Sequence, residues 1–98
     1  MPNQTINQIR PLFGLGRTVA TPGALVVMLG IGVSEISLLS RHQRGDWGEL
    51  DPEDKADNET ALITGSRIFS AYVFDTVKFW IITEADRSST TILLPEEY

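Results

Sequence analysis

The sequence predicts an α+β domain in which N-terminal helices pack on a three- to four-stranded antiparallel meander sheet. Three observations support this fold class: three capped, helix-forming runs occupy residues 22–64, three runs rich in strand-forming residues occupy residues 67–94, and short polar turns join those strands. The 98-residue chain has room for one core. We therefore expect a single domain over residues 12–98, preceded by a flexible N-terminal arm over residues 1–11.

Capping residues mark the first two helices. Thr21-Pro22 begins an apolar helix, because threonine accepts backbone N–H groups and proline suits the first helical position. This helix ends at Gly30 and Gly32, and its uniformly apolar sequence predicts burial on most sides. Ser34 begins the second helix, which ends at Gly45. We expect the two helices to form either a compact antiparallel pair or a bent one.

Asp51-Pro52 is the clearest helix start in the chain. Asp51 can cap the helix, and the acids that follow oppose the positive end of the helix dipole. The third helix is predicted to run to about Thr64, to bury residues 61–63 and to end at Gly65.

Strand-forming residues dominate the last third of the chain. Strands are predicted over residues 67–74, 77–83 and 90–94, with the turn Asp75-Thr76 between the first two. Short connections make these three strands an antiparallel meander. Residues 17–20 form a further short strand, whose place in the sheet the sequence leaves open.

The charge balance narrows the function classes. Thirteen acids against eight bases give a net charge of −5, which argues against direct nucleic-acid binding because a basic footprint supplies most of that affinity. Binding through arginine would require five arginines to gather on one face. These are Arg10, Arg17, Arg41, Arg44 and Arg87.

Cysteine and histidine usage argues against a metal or redox site. The chain has no cysteine and one histidine, so thiolate and multi-histidine metal centres are excluded and no cofactor is expected. The longest apolar run, residues 24–33, is about half the length of a membrane span. We therefore expect a cytoplasmic protein, either a monomer or a homodimer.

His42 and the residues that follow it form the first candidate site. A histidine near Asp46 and Glu49 is the minimum set for general acid–base catalysis. A histidine near a helix end more often packs or caps, however, and no oxyanion or metal feature accompanies this one. Packing is the favoured interpretation, and no residue is assigned a catalytic role.

The loop between the last two predicted strands is the second candidate site. Its carboxylates, hydroxyls and Arg87 suit a recognition loop, since a guanidinium binds carboxylates or phosphates in a planar fork. The alternative is a turn in which Asp86 and Ser88 satisfy the loop's own backbone. The candidate binding residues at both sites and beside them are His42, Asp46, Trp47, Glu49, Arg67, Glu84, Asp86, Arg87, Ser88 and Ser89.

Two further features are explained without a ligand. The seven carboxylates of residues 46–59 lack the spacing of an EF-hand loop and are typical of a helix start with a solvated face. Residues 14–16 (GLG) lack the third glycine of a dinucleotide fingerprint and the lysine of a P-loop.

Residues 41–50 (RHQRGDWGEL) and 80–95 (WIITEADRSSTTILLP) carry a family resemblance. They resemble a family of bacterial proteins of about a hundred residues that are borne on plasmids and integrative elements. Its members are described as plasmid-related proteins or, incorrectly, as type I restriction subunits. The resemblance covers residues 12–98 and also takes in Glu53, Asp54, Asn58 and residues 67–72. This sequence is more apolar than the family over residues 26–33.

The resemblance implies a mobile-element accessory protein but no activity. A chain this short cannot hold a methyltransferase domain, so the restriction description is unsupported here. We expect a protein that binds a host or element protein, with a defence inhibitor of the anti-restriction or anti-CRISPR type as the specific version. The alternative is a small-ligand binder or hydrolytic enzyme that uses the His42/Asp46 and Glu84/Asp86/Arg87 loops.

Overall fold

A computed structural model describes residues 10–98, so residues 1–9 of the predicted arm lie outside the described part of the chain. The α+β class is confirmed. In chain order the elements are β1 (Arg17–Ala20), α1 (Pro22–Ile31), α2 (Glu35–Gln43), α3 (Pro52–Thr64), β2 (Ile68–Phe74), β3 (Val77–Thr83), β4 (Ser89–Leu93) and a 3₁₀ turn (Pro95–Glu97).

The sheet is mixed, so the prediction of a wholly antiparallel sheet is wrong. Strands β2, β3 and β4 form the expected antiparallel meander, but β1 pairs with β4 in parallel, giving the order β1-β4-β3-β2. A parallel pair needs a long connection. The three helices between β1 and β2 return the chain to the end of the sheet from which β1 started.

The three predicted helix starts are confirmed by their capping bonds. Side-chain oxygens of Thr21, Ser34 and Asp51 each accept a backbone N–H three residues on, at 3.2, 3.1 and 2.8 Å. Helices α1 and α3 are followed by Gly32 and Gly65, both in the left-handed conformation that glycine adopts without steric cost.

Helices α1 and α2 form a bent pair with an angle of 105° between them. In the part of the chain that the structure describes, no single helix is long and apolar enough to cross a bilayer, and only this bent pair has the required length and composition.

Helix α1 is not buried on most sides, contrary to the prediction from its sequence. Ala24 and Met28 face the sheet and are buried, whereas Val26 and Leu29 on the outer side are exposed. The reason is that the described residues form only two layers, with the sheet on one side of α1 and solvent on the other. The predicted burial of Ile63 in α3 is wrong for the same reason, since that side chain points away from the sheet.

The core lies between the helices and one face of the sheet. Side chains of α1 and α2 pack on Tyr72, Phe79, Ile81 and Ile92, and a second cluster joins α3 to Ile68 at the edge of the sheet. Within residues 10–98 the opposite face carries no α-helix, and Tyr98 covers part of it by packing on Trp80. We call it the open sheet face.

The segment that connects α2 to α3, together with α3 itself, covers the outer edge of β2. Ala71 exchanges backbone hydrogen bonds with Trp47 and Glu49 at 3.1 and 2.7 Å. The Asn58 amide bonds both the carbonyl and the N–H of Phe69, at 2.6 and 3.1 Å. An edge strand with satisfied backbone groups resists pairing with other chains.

Candidate binding surface

His42 lies inside the protein, between α2 and the sheet, and has no exposed surface. Its Nδ1 atom is 2.6 Å from the Ser70 hydroxyl, and its Nε2 atom is 2.9 Å from the Thr83 hydroxyl. Both ring nitrogens are therefore occupied by neutral partners from β2 and β3. Burial, and secondarily the positive charge of Arg87, lowers the pKa of His42 to about 3.

A chain of buried hydroxyls extends from the imidazole across the sheet. Thr83 and Thr90 oppose each other on β3 and β4, with their hydroxyl oxygens 2.7 Å apart. Thr90 donates in turn to the carbonyl of Leu15 at 2.8 Å. No buried side-chain nitrogen or oxygen in residues 10–98 lacks a partner, so the network is satisfied and leaves no group directed at a ligand.

Asp46 closes the turn that follows α2. Its carboxylate accepts from Arg41 Nε at 2.7 Å and from the Gly48 N–H at 3.2 Å. The hydrogen bond from Arg41 lowers the pKa of Asp46. Arg41 also stacks on the Tyr72 ring, with 4.2 Å between the guanidinium carbon and the ring centroid. These contacts hold the turn in place and occupy both charges.

Trp47 and Glu49 lie on the two sides of the same turn. Trp47 is buried beside His42, and its indole N–H donates to Glu59 of α3 at 2.8 Å. The Glu49 side chain is exposed, although its backbone N–H pairs with β2. Trp47 therefore joins α3 to the core, and Glu49 remains available at the surface.

Arg87 is held by backbone carbonyls of two segments. Its guanidinium donates to the carbonyls of Ser66 and Ala61 at 2.6 and 3.0 Å, and to those of Glu84 and Ala85 at 3.2 and 3.1 Å. Ala61 lies in the last turn of α3, where a cation also favours the helix dipole. The guanidinium fork thus ties the β3–β4 loop to the end of α3.

Replacing Arg87 with lysine should lower the free energy of unfolding by about 1–3 kcal/mol, because an ammonium cannot reach four carbonyls with the geometry of a planar fork. Urea denaturation measures the change. Arg44→Lys at an exposed position is the matched control and should be neutral within about 0.5 kcal/mol. Equal stability of the two variants would contradict the structural role of Arg87.

The other residues of the β3–β4 loop are arranged as a turn. Asp86 accepts the Ser88 N–H at 2.9 Å, and hydrogen bonding from Ser88 lowers the pKa of Asp86. The Ser88 carbonyl accepts from Arg17, and Ser89 begins β4. This pattern is typical of an Asx turn in which the loop satisfies its own backbone.

Arg67 and Glu84 are brought together on the open sheet face. Their side chains form an ion pair at 3.4 Å, and both are nearly half exposed. Arg67 Nη1 also donates to the Tyr98 hydroxyl at 3.2 Å. The two residues come from the start of β2 and the end of β3, which the strand register places side by side.

An aromatic pocket of about 230 Å³ opens beside this ion pair. Two edge-to-face contacts build it: the Trp80 ring lies 5.1 Å from that of Phe69 and 5.7 Å from that of Tyr98. We call it the aromatic pocket. The residues that line it are Arg67, Phe69, Trp80, Ile82 and Tyr98.

The sequence alone does not reveal the aromatic pocket. Phe69, Trp80 and Ile82 alternate with core residues along β2 and β3, so the sequence shows apolar side chains on both faces of each strand. This pattern is the one sequence feature that points to the pocket, since a strand that is apolar on both faces is either covered on both faces or open to a partner on one of them. Tyr98 reaches the pocket only through tertiary contact.

The described residues offer no metal site, since no group of three or more histidine or acidic side chains lies close enough to hold an ion. His42 has no exposed surface and lines none of five clefts on residues 10–98. Of the candidate binding residues, Arg67 lines the aromatic pocket, and Glu84 is its ion-pair partner at the surface.

The fold and surface define a two-layer α+β protein with one sheet face that no α-helix covers in residues 10–98. No protein-family model, no curated protein and no solved structure matches the chain.

Proposed function

We propose that this protein is a non-catalytic, cytoplasmic protein-binding module, borne by a mobile element, that acts on a host or element protein. The observation that carries the proposal is the open sheet face, where an aromatic pocket adjoins the Arg67–Glu84 pair. Aromatic side chains and arginine dominate the energetics of protein interfaces, and apolar anchors commonly enter small pockets.

The size of the aromatic pocket favours a side chain over a free ligand. Sites for small molecules usually have volumes of about 300–1,000 Å³, and this pocket is smaller, at about 230 Å³. Its walls are three aromatic rings and Ile82. We therefore expect the partner to insert one aliphatic or aromatic side chain.

The negative charge of this protein indicates which residues of the partner should surround the inserted side chain. The chain has a net charge of −5, and α3 exposes Glu53, Asp54 and Asp57 in its first two turns. Helix α3 is attached to the pocket strand, because Asn58 bonds the backbone of Phe69. A partner with basic residues around an apolar anchor complements this surface, and its binding should weaken as salt rises. A nucleic-acid-binding defence complex has such a basic surface, which is the basis for the inhibitor version.

The positions of His42 and two arginines count against the other hypotheses. Hydrolytic catalysis requires a base that reaches substrate, and His42 is enclosed by neutral hydroxyls. Nucleic-acid binding requires free guanidinium groups, but Arg41 is paired with Asp46 and Arg87 is bonded to carbonyls. The small-ligand alternative is opposed because none of the five clefts on residues 10–98 is lined by His42, Asp46, Glu84, Asp86 or Arg87.

Tyr98→Ala should reduce capture of the partner at least tenfold, because it removes one wall of the pocket at an exposed position. The test compares immobilised wild type, Tyr98→Ala and Ile63→Ala in bacterial lysate by quantitative mass spectrometry. Ile63→Ala is the control, since it removes an exposed apolar side chain from α3.

A protein that is captured by wild type and Ile63→Ala but lost with Tyr98→Ala supports the proposal. The purified partner should then bind with an affinity that falls as salt rises. If Tyr98→Ala captures the same proteins in the same amounts as wild type, the aromatic pocket is not the binding surface.

A further inference from the structure

A second surface, on the side of the molecule formed by α1 and the start of α2, exposes apolar side chains that the fold does not use. Val26, Leu29 and Ile36 are 69–83% exposed, and Leu25 and Ile31 are 40% and 43% exposed. We call these five residues the α1 face. A helix that is apolar all round is normally covered on all sides, yet α1 is covered only where it meets the sheet and the C-terminal 3₁₀ turn.

We infer that the α1 faces of two copies of this chain pack against each other in a two-fold symmetric dimer. In this arrangement Leu29 of each copy enters the groove between α1 and α2 of the other. The groove is present in the isolated chain, with a volume of about 290 Å³, and is lined by Leu25, Met28, Leu29, Val33, Ser34, Glu35 and Ile36.

The absence of charge on the α1 face favours a second copy as its occupant. No charged residue occurs from Thr18 to Ser34, and Glu35 lies only at the rim of the groove. A two-fold interface brings each patch against itself, so a charged patch repels its copy while an uncharged apolar patch is self-complementary. Two copies that each carry a net charge of −5 can approach most closely through such a surface.

The same feature disfavours the other occupants. Helices that lie on a membrane surface carry lysine and arginine on their polar side, and α1 has neither. The basic partner proposed for the open sheet face would find no carboxylate on α1 itself.

The exposed apolar area of the α1 face is large enough for the interface of a specific dimer. Burying a leucine, isoleucine or valine side chain removes roughly 60–120 Å² of apolar surface, so the α1 face presents on the order of 300 Å² in each copy. Two such faces, with the polar rim that surrounds most interfaces, make a contact of about 1,000 Å², the lower limit for a specific interface.

Gly30 adds an independent observation. It lies within the exposed part of α1, and a Cβ atom built there meets nothing within 4 Å. Glycine inside a helix is unfavourable relative to alanine, and nothing in the isolated chain requires it. Beside Val26 and Leu29, it allows a facing helix to approach closely.

Sedimentation equilibrium of the whole chain tests the inference, with wild type expected at twice the monomer mass of 10.9 kDa across about 1–200 μM. Leu29→Glu should raise the dimer dissociation constant at least 30-fold, because it places a carboxylate at the centre of the contact. The control is Ile63→Glu, which alters a side chain of equal exposure (87% against 83%) on α3 and should leave the dimer intact.

Because the chain has no cysteine, a single Val26→Cys variant provides a direct test of the contact. Mild oxidation should link the two copies of this variant through a disulfide, while Ile63→Cys should form no covalent link within the dimer. A monomeric wild type overturns the inference, and so does a dimer that Leu29→Glu does not dissociate or that Ile63→Glu dissociates equally. A monomeric wild type that sediments with phosphatidylcholine vesicles would overturn it and assign the α1 face to a membrane.

Discussion

Acidification from pH 7 to pH 5 should lower the free energy of unfolding by about 2 kcal/mol, because His42 binds a proton only in the unfolded chain. The unfolded imidazole takes up its proton near pH 6.5, whereas burial lowers the folded pKa to about 3. Between these values the unfolded state binds more protons, so falling pH favours unfolding. The stability is fully present above pH 6.5 and is lost progressively down to about pH 3.

Urea denaturation at several pH values measures this dependence. Carboxylates titrate mainly below pH 5, so the interval from pH 6.5 to pH 5 isolates the histidine. His42→Gln is the matched variant, since its amide can still bond hydroxyl groups but does not titrate. The dependence should disappear in that variant, although its overall stability is lower.

His42 is the only histidine in the chain, so its ring protons give one unambiguous NMR signal. In the folded protein that signal should not shift between pH 8 and pH 5. A folded His42 that titrates near pH 6.5 would mean that water reaches the imidazole, and the objection to a catalytic role would then fall.

Gly48→Ala should destabilise the protein by about 3 kcal/mol or more, which corresponds to a fall in Tm of roughly 12–24 °C for a domain of this size. Gly48 has a φ of 78° and pairs with the outer edge of β2. A Cβ atom there would overlap the carbonyl oxygen of Ala71 and lie 2.7 Å from the Tyr72 ring. The turn has to move away from the strand to relieve this contact.

Thermal unfolding followed by circular dichroism measures the loss. Gly14→Ala is the control, because Gly14 does not have a positive φ and its Cβ position is open. That variant should unfold within a few degrees of wild type. A Gly48→Ala protein as stable as Gly14→Ala would show that the 47–49 segment does not pack tightly on β2.

The residues of the two long motifs, 41–50 and 80–95, acquire a common physical explanation from these contacts. Asp46, Trp47 and Gly48 close a turn that covers the edge of β2 and one side of His42. Arg87 and Asp86 stabilise the β3–β4 loop. Much of the composition of both long motifs is therefore explained by structural contacts. The second motif also contributes Trp80, Ile82 and Glu84 to the surface proposed for binding.

The candidate site was only partly predictable. Arg67 and Glu84 stood among the candidate residues, but their pairing depends on the register of β2 and β3. The pocket rings could not be assigned to a surface from the sequence, because alternation along a strand does not show which face is covered. Phe69 and Trp80 are only half-buried because the α-helices lie on the opposite side of the sheet.

By itself, the sequence determined where the elements begin and end. Thr21, Ser34 and Asp51 each accept an N–H from three residues further on, so the capping bonds themselves are local. Only the tertiary structure decided the parallel pairing of β1, the enclosure of His42 and the exposure of α1. These features depend on contacts between residues that are distant in sequence: His42 meets Thr83 across 41 residues, and Leu15 meets Thr90 across 75. Local propensity and periodicity carry no information about such pairs.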